Sequence, residues 1–138
     1  MPKILAMDAG GTSTRAVILD TTGRCLGYGR AGTGNPTAAG IDGAVDQLGR
    51  AAELAAQTDS SAIDRGSFAI VSLAGSTSSP FVERLAARLA PLGFDAAPVL
   101  EPDLLGTYFS GTAELEGSAL IAGTGSVAGR VAGGSLDF

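Results

Sequence analysis

Residues 4–19 read ILAMDAGGTSTRAVIL, in which two short apolar runs flank a turn made of an acid, two glycines and three hydroxyl residues. This pattern predicts a buried strand, a tight turn and a returning strand. Glycine has no Cβ, so backbone N–H groups at Gly10 and Gly11 can approach an anion closely. The hydroxyls add donors, and the carboxylate of Asp8 can hold a metal ion. These are the groups of a nucleotide-phosphate turn, although a plain hairpin capped by Asp8 also fits the stretch.

The composition excludes several classes of function. The chain has 138 residues, a net charge of −5, 5% aromatic residues and no tryptophan, so neither a nucleic-acid partner nor a membrane partner is expected. The single cysteine, Cys25, excludes an internal disulfide and is expected to be a buried strand residue. The absence of histidine leaves acid–base chemistry to carboxylates. The N-terminus lacks the long apolar core of a signal peptide, which favours a cytoplasmic protein.

Hydrophobic periodicity along the chain predicts an α/β fold. After three short strands, apolar residues at helical spacing predict a helix over about 38–57. The run SFAIVSL at 67–73 is typical of a strand buried on both faces. A second helix, a strand at 98–100, a loop at 101–103 and a third helix from Asp103 or Leu104 to near Gly111 follow. The order β-β-β-α-β-α-β-α predicts a mixed five-stranded sheet with helices on both faces.

A second strand–turn–strand pattern comes at 118–132, where the glycines of 123–126 again lie beside hydroxyl residues. This similarity to the first turn predicts that a second copy of the same fold begins there. We therefore expect residues 1–116 to form one lobe and residues 117–138 to form the first hairpin of a second lobe. An ordinary hairpin also fits 123–126.

Polar loops follow three of the predicted strands, at 8–14, 75–79 and 101–103. In open α/β sheets, ligands bind in the crevice beyond the ends of the strands. Together with Asn35-Pro36 at the start of the first helix, these loops are expected to converge on one cleft. Glu101 is expected to be a solvated or capping charge.

Five motifs, in order along the chain, carry a resemblance to a known superfamily. They are DAGGTSTR at 8–15, GTGNP at 32–36, SLAGS at 72–76, EPD at 101–103 and IAGTGS at 121–126. They resemble the sugar-kinase, actin and heat-shock-chaperone ATPase superfamily, whose members have two ribonuclease-H-like lobes around a nucleotide cleft. The sequence is most similar to its group of N-acetylglucosamine kinases and glucosamine kinases. That group also contains the activator ATPases of benzoyl-CoA reductases and 2-hydroxyacyl-CoA dehydratases.

The resemblance implies ATP and Mg²⁺ as cofactors, an amino sugar as the small-molecule acceptor, and a homodimer. Asp103 would accept the proton of the acceptor hydroxyl, and Asp8 would organise Mg²⁺ through water. The residues implied at the ATP phosphates are Gly10, Gly11, Thr12, Thr14, Gly123 and Gly125. The residues implied at the sugar are Asn35, Gly75, Asp103 and Thr124. In-line phosphoryl transfer needs this set of positioned phosphates, a divalent cation and a carboxylate base.

Other interpretations of these residues remain open. Asn35-Pro36 is also a common turn and helix start, and Asp103 also fits a helix N-cap. Kinases of the group carry a complete second lobe, so the chain is expected to be the amino-terminal lobe of a kinase, inactive alone. The alternatives are an activator ATPase or a non-catalytic binding module. The activators hold an iron–sulfur cluster with cysteine ligands, for which a single cysteine is poor provision.

Overall fold

Two β-sheets and three α-helices are formed by the residues that this computed structural model describes, which are 1–59, 61–75, 77–123 and 125–137. The strands are β1 (Lys3–Ala9), β2 (Thr14–Asp20), β3 (Cys25–Ala31), β4 (Phe68–Leu73), β5 (Val99–Pro102), β6 (Gly117–Ala122), β7 (Ser126–Ala132) and β8 (Ser135–Asp137). The helices are α1 (Pro36–Thr58), α2 (Ser79–Leu89) and α3 (Asp103–Gly111), with a 3-10 turn at Ala90–Leu92.

The larger sheet has five strands in the order β3-β2-β1-β4-β5. Strand β2 pairs antiparallel with both β1 and β3, whereas β4 pairs parallel with both β1 and β5. The predicted mixed five-stranded sheet is therefore confirmed. Because β1, β4 and β5 are parallel, their carboxyl ends meet at one edge, and the chain leaves that edge through the β1–β2 turn, the β4–α2 loop and α3.

Helices cover both faces of this sheet, as predicted. Helix α1 packs on β3 and β2, and α2 packs on α1. Between them and the sheet lies the hydrophobic core, whose largest buried side chains include Leu5, Ile18, Leu48 and Phe81. Helix α3 lies on the opposite face, where a Cβ added at Gly106 would be 2.2 Å from the hydroxyl oxygen of Ser72.

Several element boundaries differ from the sequence-based expectation. Helix α1 begins at Pro36 because Asn35 caps it, and it is interrupted at Gly40, whose φ of 71° is a conformation that glycine adopts readily. Strand β5 extends to Pro102 and α3 begins at the next residue, so the loop predicted at 101–103 is wrong. Cys25 is exposed, because it is the first residue of an edge strand of the sheet.

The second sheet has three antiparallel strands in the order β6-β7-β8, the last of which the sequence did not predict. It adjoins α3, where the Tyr108 hydroxyl donates to the carbonyl oxygen of Glu116 at 2.8 Å. The backbone N–H of Gly134 donates to the carbonyl oxygen of Leu115 at 3.1 Å. Strand β6 begins at Gly117. The division into a lobe at 1–116 and a second unit at 117–138 stays a prediction.

Candidate functional site

The β1–β2 turn presents backbone to solvent, as an anion-binding turn must. The N–H of Gly10 donates to the carbonyl oxygen of Ser13 at 3.0 Å, which closes the turn. A Cβ at Gly10 would be 2.8 Å from that oxygen, so only glycine fits without a shift. Gly11 and Thr12 are exposed, and no atom lies within 4 Å of a Cβ added at Gly11. An anion can therefore reach the backbone at Gly11 and Thr12.

Thr14 lies apart from the other hydroxyl residues of the motif. Its side chain is completely buried, and its hydroxyl oxygen has no hydrogen-bond partner among the described residues. That oxygen lies against Gly34, where an added Cβ would be 2.2 Å away. The implied contact of Thr14 with the ATP phosphates stays a prediction, and its hydroxyl does not point into the open turn.

The loop before α1 is tied to the β1–β2 turn. The Thr33 hydroxyl donates to the carbonyl oxygen of Gly11 at 3.1 Å. Asn35 caps α1, because its side-chain oxygen accepts a hydrogen bond from the N–H of Thr37 at 2.8 Å. The helix-start interpretation of Asn35 is thus confirmed. Its amide nitrogen is still able to contact a ligand, so the sugar role stays a prediction.

Gly75 joins the same group of loops from the end of β4. Its φ is +91°, and a Cβ there would be 3.3 Å from the hydroxyl oxygen of Thr37. The structure therefore brings the loop after β4 next to the start of α1. Two of the loops that the sequence predicted to converge, at 8–14 and 75–79, thus approach the start of α1 at this edge of the sheet.

A cavity of about 980 Å³ lies over the sheet face that carries α3. Its charged lining residues are Asp8, Arg15, Glu101 and Asp103. Its apolar wall comes from Ala6, Met7, Val17, Tyr28, Ile70, Leu105, Phe109, Leu120 and Ile121. Of the site residues expected from the sequence, the structure places two, Asp8 and Asp103, in this cavity. The cavity thus has three acidic side chains and one basic side chain, and the rest of its lining is mainly apolar.

Asp103 is the first residue of α3 and not its N-cap. Pro102 occupies the cap position, and no side-chain hydrogen bond caps the helix. Among the described residues, the Asp103 carboxylate makes no hydrogen bond and no ion pair. It is half-buried and lines the cavity. The carboxylate is therefore available to accept a proton.

The second glycine turn lies outside this cavity. The N–H of Gly123 donates to the carbonyl oxygen of Gly125 at 2.8 Å, which closes the turn between β6 and β7. Both glycines are exposed, and neither lines the cavity. Thr124 lies outside the described residues. The implied contacts of Gly123 and Gly125 with the phosphates stay predictions.

The cavity residues that were not identified as site residues from the sequence include Arg15, Ser72 and Glu101. Arg15 and Ser72 lie within motifs, but their strand positions alone do not show which residues they oppose. The register does, because Asp8 is paired with Arg15 on one side and with Ser72 on the other. The alternation of side chains along β1 and β4 was the signal that could have placed them on one face.

The donor set fits Mg²⁺ only in part. No group of three or more acidic, histidine or cysteine side chains in the described ranges could hold a metal ion alone. Mg²⁺ is commonly bound through one or two carboxylates, with waters and substrate phosphates completing its shell. Asp8 is exposed at the cavity and could supply such a carboxylate.

No helix in the described part of the chain is long and apolar enough to cross a membrane.

Several solved structures with the same fold are described as sugar kinases. One is a ROK family glucokinase from Streptomyces griseus, solved with glucose and AMPPNP, which is 20% identical to this chain in sequence. The two structures align with a TM-score of 0.70 over 98% of this chain and 46% of the glucokinase chain. A protein from Porphyromonas gingivalis that is assigned as an N-acetylglucosamine kinase is 26% identical to this chain. It aligns with a TM-score of 0.70 over 97% of this chain and 46% of its own length. A second protein with the same assignment, from Chromobacterium violaceum, is 21% identical to this chain. It aligns with a TM-score of 0.73 over 94% of this chain and 45% of its own length.

These similarities confirm the predicted fold, an α/β lobe of the actin-like ATPase type shared with sugar kinases. The chain spans about half the length of each of those kinases. Neither a protein-family model nor a curated protein matches the sequence.

Proposed function

We propose that this chain is the amino-terminal lobe of an ATP-dependent kinase that phosphorylates an amino sugar, N-acetylglucosamine or glucosamine. The observation that carries the proposal is the unengaged carboxylate of Asp103, which lines the same cavity as Asp8 within a fold shared with sugar kinases. The glucokinase of that fold was solved with glucose and AMPPNP, an ATP analogue, which supports a sugar and ATP as substrates here.

In this mechanism the chain positions the two reactants. The backbone N–H groups of the exposed residues Gly11 and Thr12 would bind the donor phosphates, and the amide nitrogen of Asn35 would donate to the sugar. The sugar hydroxyl would lie within hydrogen-bond reach of Asp103, which takes its proton as the oxygen attacks phosphorus. Bound Mg²⁺, held through Asp8 and water, would neutralise charge on the phosphates.

The first experiment replaces the base. In the complete protein, Asp103→Asn should lower kcat for sugar phosphorylation by about 10²–10⁴-fold, since the amide cannot accept the proton. The fold should be unchanged, because the amide is nearly isosteric with the carboxylate. Asp95→Asn makes the same chemical change at an exposed position outside the cavity and should leave kcat unchanged. If Asp103→Asn turns over within a few-fold of wild type, Asp103 is not the base.

The substrate dependence of ATP consumption separates the three classes of function. ADP formation that requires an amino sugar supports the kinase. Sugar-independent hydrolysis by the complete protein would favour an activator ATPase. Binding without turnover would favour a non-catalytic module.

A further inference from the structure

The loop at 32–35 joins β3 to α1 and contacts both α1 and the β1–β2 turn. The N–H of Gly32 donates to the side-chain oxygen of Gln47 on α1 at 2.7 Å. The Thr33 hydroxyl donates to the carbonyl oxygen of Gly11 at 3.1 Å. Among the residues that the structure describes, this is the only hydrogen bond between the β1–β2 turn and another loop. Thr33 therefore links the turn to the loop before α1.

The carbonyl oxygen that Thr33 holds belongs to the same peptide unit as the N–H of Thr12. A peptide unit is planar, and in its trans form the N–H points away from the carbonyl oxygen. The described chain contains no cis peptide bond, so the hydrogen bond from Thr33 directs the Thr12 N–H away from the loop. Packing around Gly11 does not supply this constraint, because no atom lies within 4 Å of a Cβ added there. Thr33 is thus the side chain that orients the Thr12 N–H.

Gly34 transmits this constraint to Asn35. It is buried, and a Cβ there would be 2.2 Å from the hydroxyl oxygen of Thr14 and 3.3 Å from the Cβ of Ala9. Such close packing leaves little space for the backbone between Thr33 and Asn35 to move independently of the sheet. Asn35 in turn caps α1 through its side-chain oxygen. The Thr12 N–H and the Asn35 side chain are therefore joined through one short, tightly packed segment.

We propose that Thr33 is a positioning residue that couples binding of the donor phosphates to binding of the sugar. The inference rests on the proposed function, which assigns the phosphates to the β1–β2 turn and the sugar to Asn35. A phosphate that accepts the Thr12 N–H polarises the peptide unit, so the Gly11 carbonyl oxygen accepts more strongly from Thr33. The stronger hydrogen bond holds the loop, and Asn35 with it, in place for the sugar. Because such coupling is reciprocal, bound sugar tightens phosphate binding by the same factor.

Calorimetry on the complete protein measures this coupling. The Kd of N-acetylglucosamine and that of glucosamine are determined with and without saturating AMPPNP, and the ratio of the two values for each sugar is the coupling factor. Thr33→Val keeps the shape of the side chain and removes the donor, so the coupling factor should fall by about three- to tenfold. The Kd without AMPPNP should change by less than about twofold, because Thr33 does not itself contact the sugar. Thr33→Ser keeps the hydroxyl and should restore the wild-type coupling factor.

Thr22→Val is the matched control, because it makes the same chemical change in the β2–β3 turn. The Thr22 hydroxyl donates to the carboxylate of Asp20 at 2.6 Å, outside the cavity. This variant should have the wild-type coupling factor. A wild-type coupling factor near one, an unchanged factor in Thr33→Val, or an equal loss in Thr22→Val would overturn the proposal.

Nuclear magnetic resonance on the 138-residue chain distinguishes failure of this inference from failure of the proposed function. Inorganic tripolyphosphate should shift the backbone N–H signals of Gly11 and Thr12. Through Thr33 it should also shift the side-chain amide signal of Asn35 and the N–H signal of Thr37, which donates to Asn35. In Thr33→Val only the first pair should shift, which supports the link even if the complete protein phosphorylates no sugar. Wild-type spectra in which only Gly11 and Thr12 respond would overturn the inference and leave the proposed function standing.

Discussion

At the scale of single residues, the ion pair between Lys3 and Asp59 holds the start of β1 against the end of α1. Both side chains are buried, and Lys3 Nζ lies 2.5 Å from Asp59 Oδ2, 2.8 Å from the Ser61 carbonyl oxygen and 2.6 Å from the Ser61 hydroxyl oxygen. Burial raises the pKa of Asp59, but the hydrogen bonds from Lys3 and Ser61 outweigh it and hold the pKa below its ordinary value. The pair is a structural clamp, remote from the cavity.

This pair should make stability depend on pH. Since the pKa of Asp59 is lower in the folded state, its contribution is full above the ordinary aspartate pKa and falls away as the pH drops through the folded-state pKa. Asp59→Asn leaves Lys3 buried without a counter-charge and should cost about 3–5 kcal/mol of unfolding free energy at neutral pH. The unfolding free energy of this variant should also vary less with pH than that of wild type, as measured by urea unfolding from pH 3 to 7.

Asp42→Asn is the control for that measurement. Asp42 pairs with Arg84 on the surface, where its side chain is 85% exposed, so its loss should cost at most about 1 kcal/mol. If Asp59→Asn costs no more than Asp42→Asn, the buried pair does not stabilise the fold as argued.

At the scale of elements, the contact between β3 and α1 is unusually close. Two glycines of β3 face the helix, and a Cβ at Gly29 would be 2.0 Å from the carbonyl oxygen of Ala51. The helix residues that meet these glycines are correspondingly small, and they include Ala51 and Ala55. Small residues on both elements let the helix lie almost against the strand backbone, which fixes β3 relative to α1.

Gly29→Ala should disrupt this contact, because the added methyl group would overlap the Ala51 carbonyl oxygen unless the strand and helix backbones moved apart. We expect a loss of about 1–3 kcal/mol in unfolding free energy, measured by urea denaturation. Gly111→Ala adds the same methyl group at the end of α3, where no atom lies within 4 Å, and should change stability by less than about 0.5 kcal/mol. Equal effects of the two substitutions would show that close approach is not what limits this position.

At the scale of the whole molecule, the two sheets differ in how well they are covered. The five-stranded sheet has a buried core between itself and two helices, whereas most side chains of the three-stranded sheet are exposed. Leu120 is 64% exposed and Val127 is 41% exposed. The backbone edge of β6 pairs with no other strand of the described chain. Such an apolar, open-edged sheet is prone to pair with another molecule.

We therefore expect the 138-residue chain to self-associate through the β6–β8 sheet, giving a mass above that of one chain in sedimentation equilibrium. Leu120→Lys places a charge in this surface and should shift the equilibrium towards the monomer. Gln57→Lys adds the same charge on α1, far along the chain from this sheet, and should leave association unchanged. A monomeric wild-type chain at high concentration would contradict the expectation.

The local pattern of the sequence was enough to predict the strand–turn–strand start, the helices and the order of elements. Apolar alternation and helical periodicity are properties of short segments, and they survive without knowledge of the partners. The same reasoning placed Asp8 at the end of a strand and Asp103 at the start of a helix. Those two positions are the part of the site that the structure brings into one cavity.

What depended on pairing between distant segments was decided only by the tertiary structure. Arg15 faces the cavity beside Asp8 because of the β1–β2 register, and Ser72 lies there because β4 pairs with β1. Cys25 is exposed because β3 is an edge strand, and Thr14 is buried because the loop at Gly34 covers it. A residue's own neighbours in sequence determine which way it alternates, but strand order and register determine what it meets.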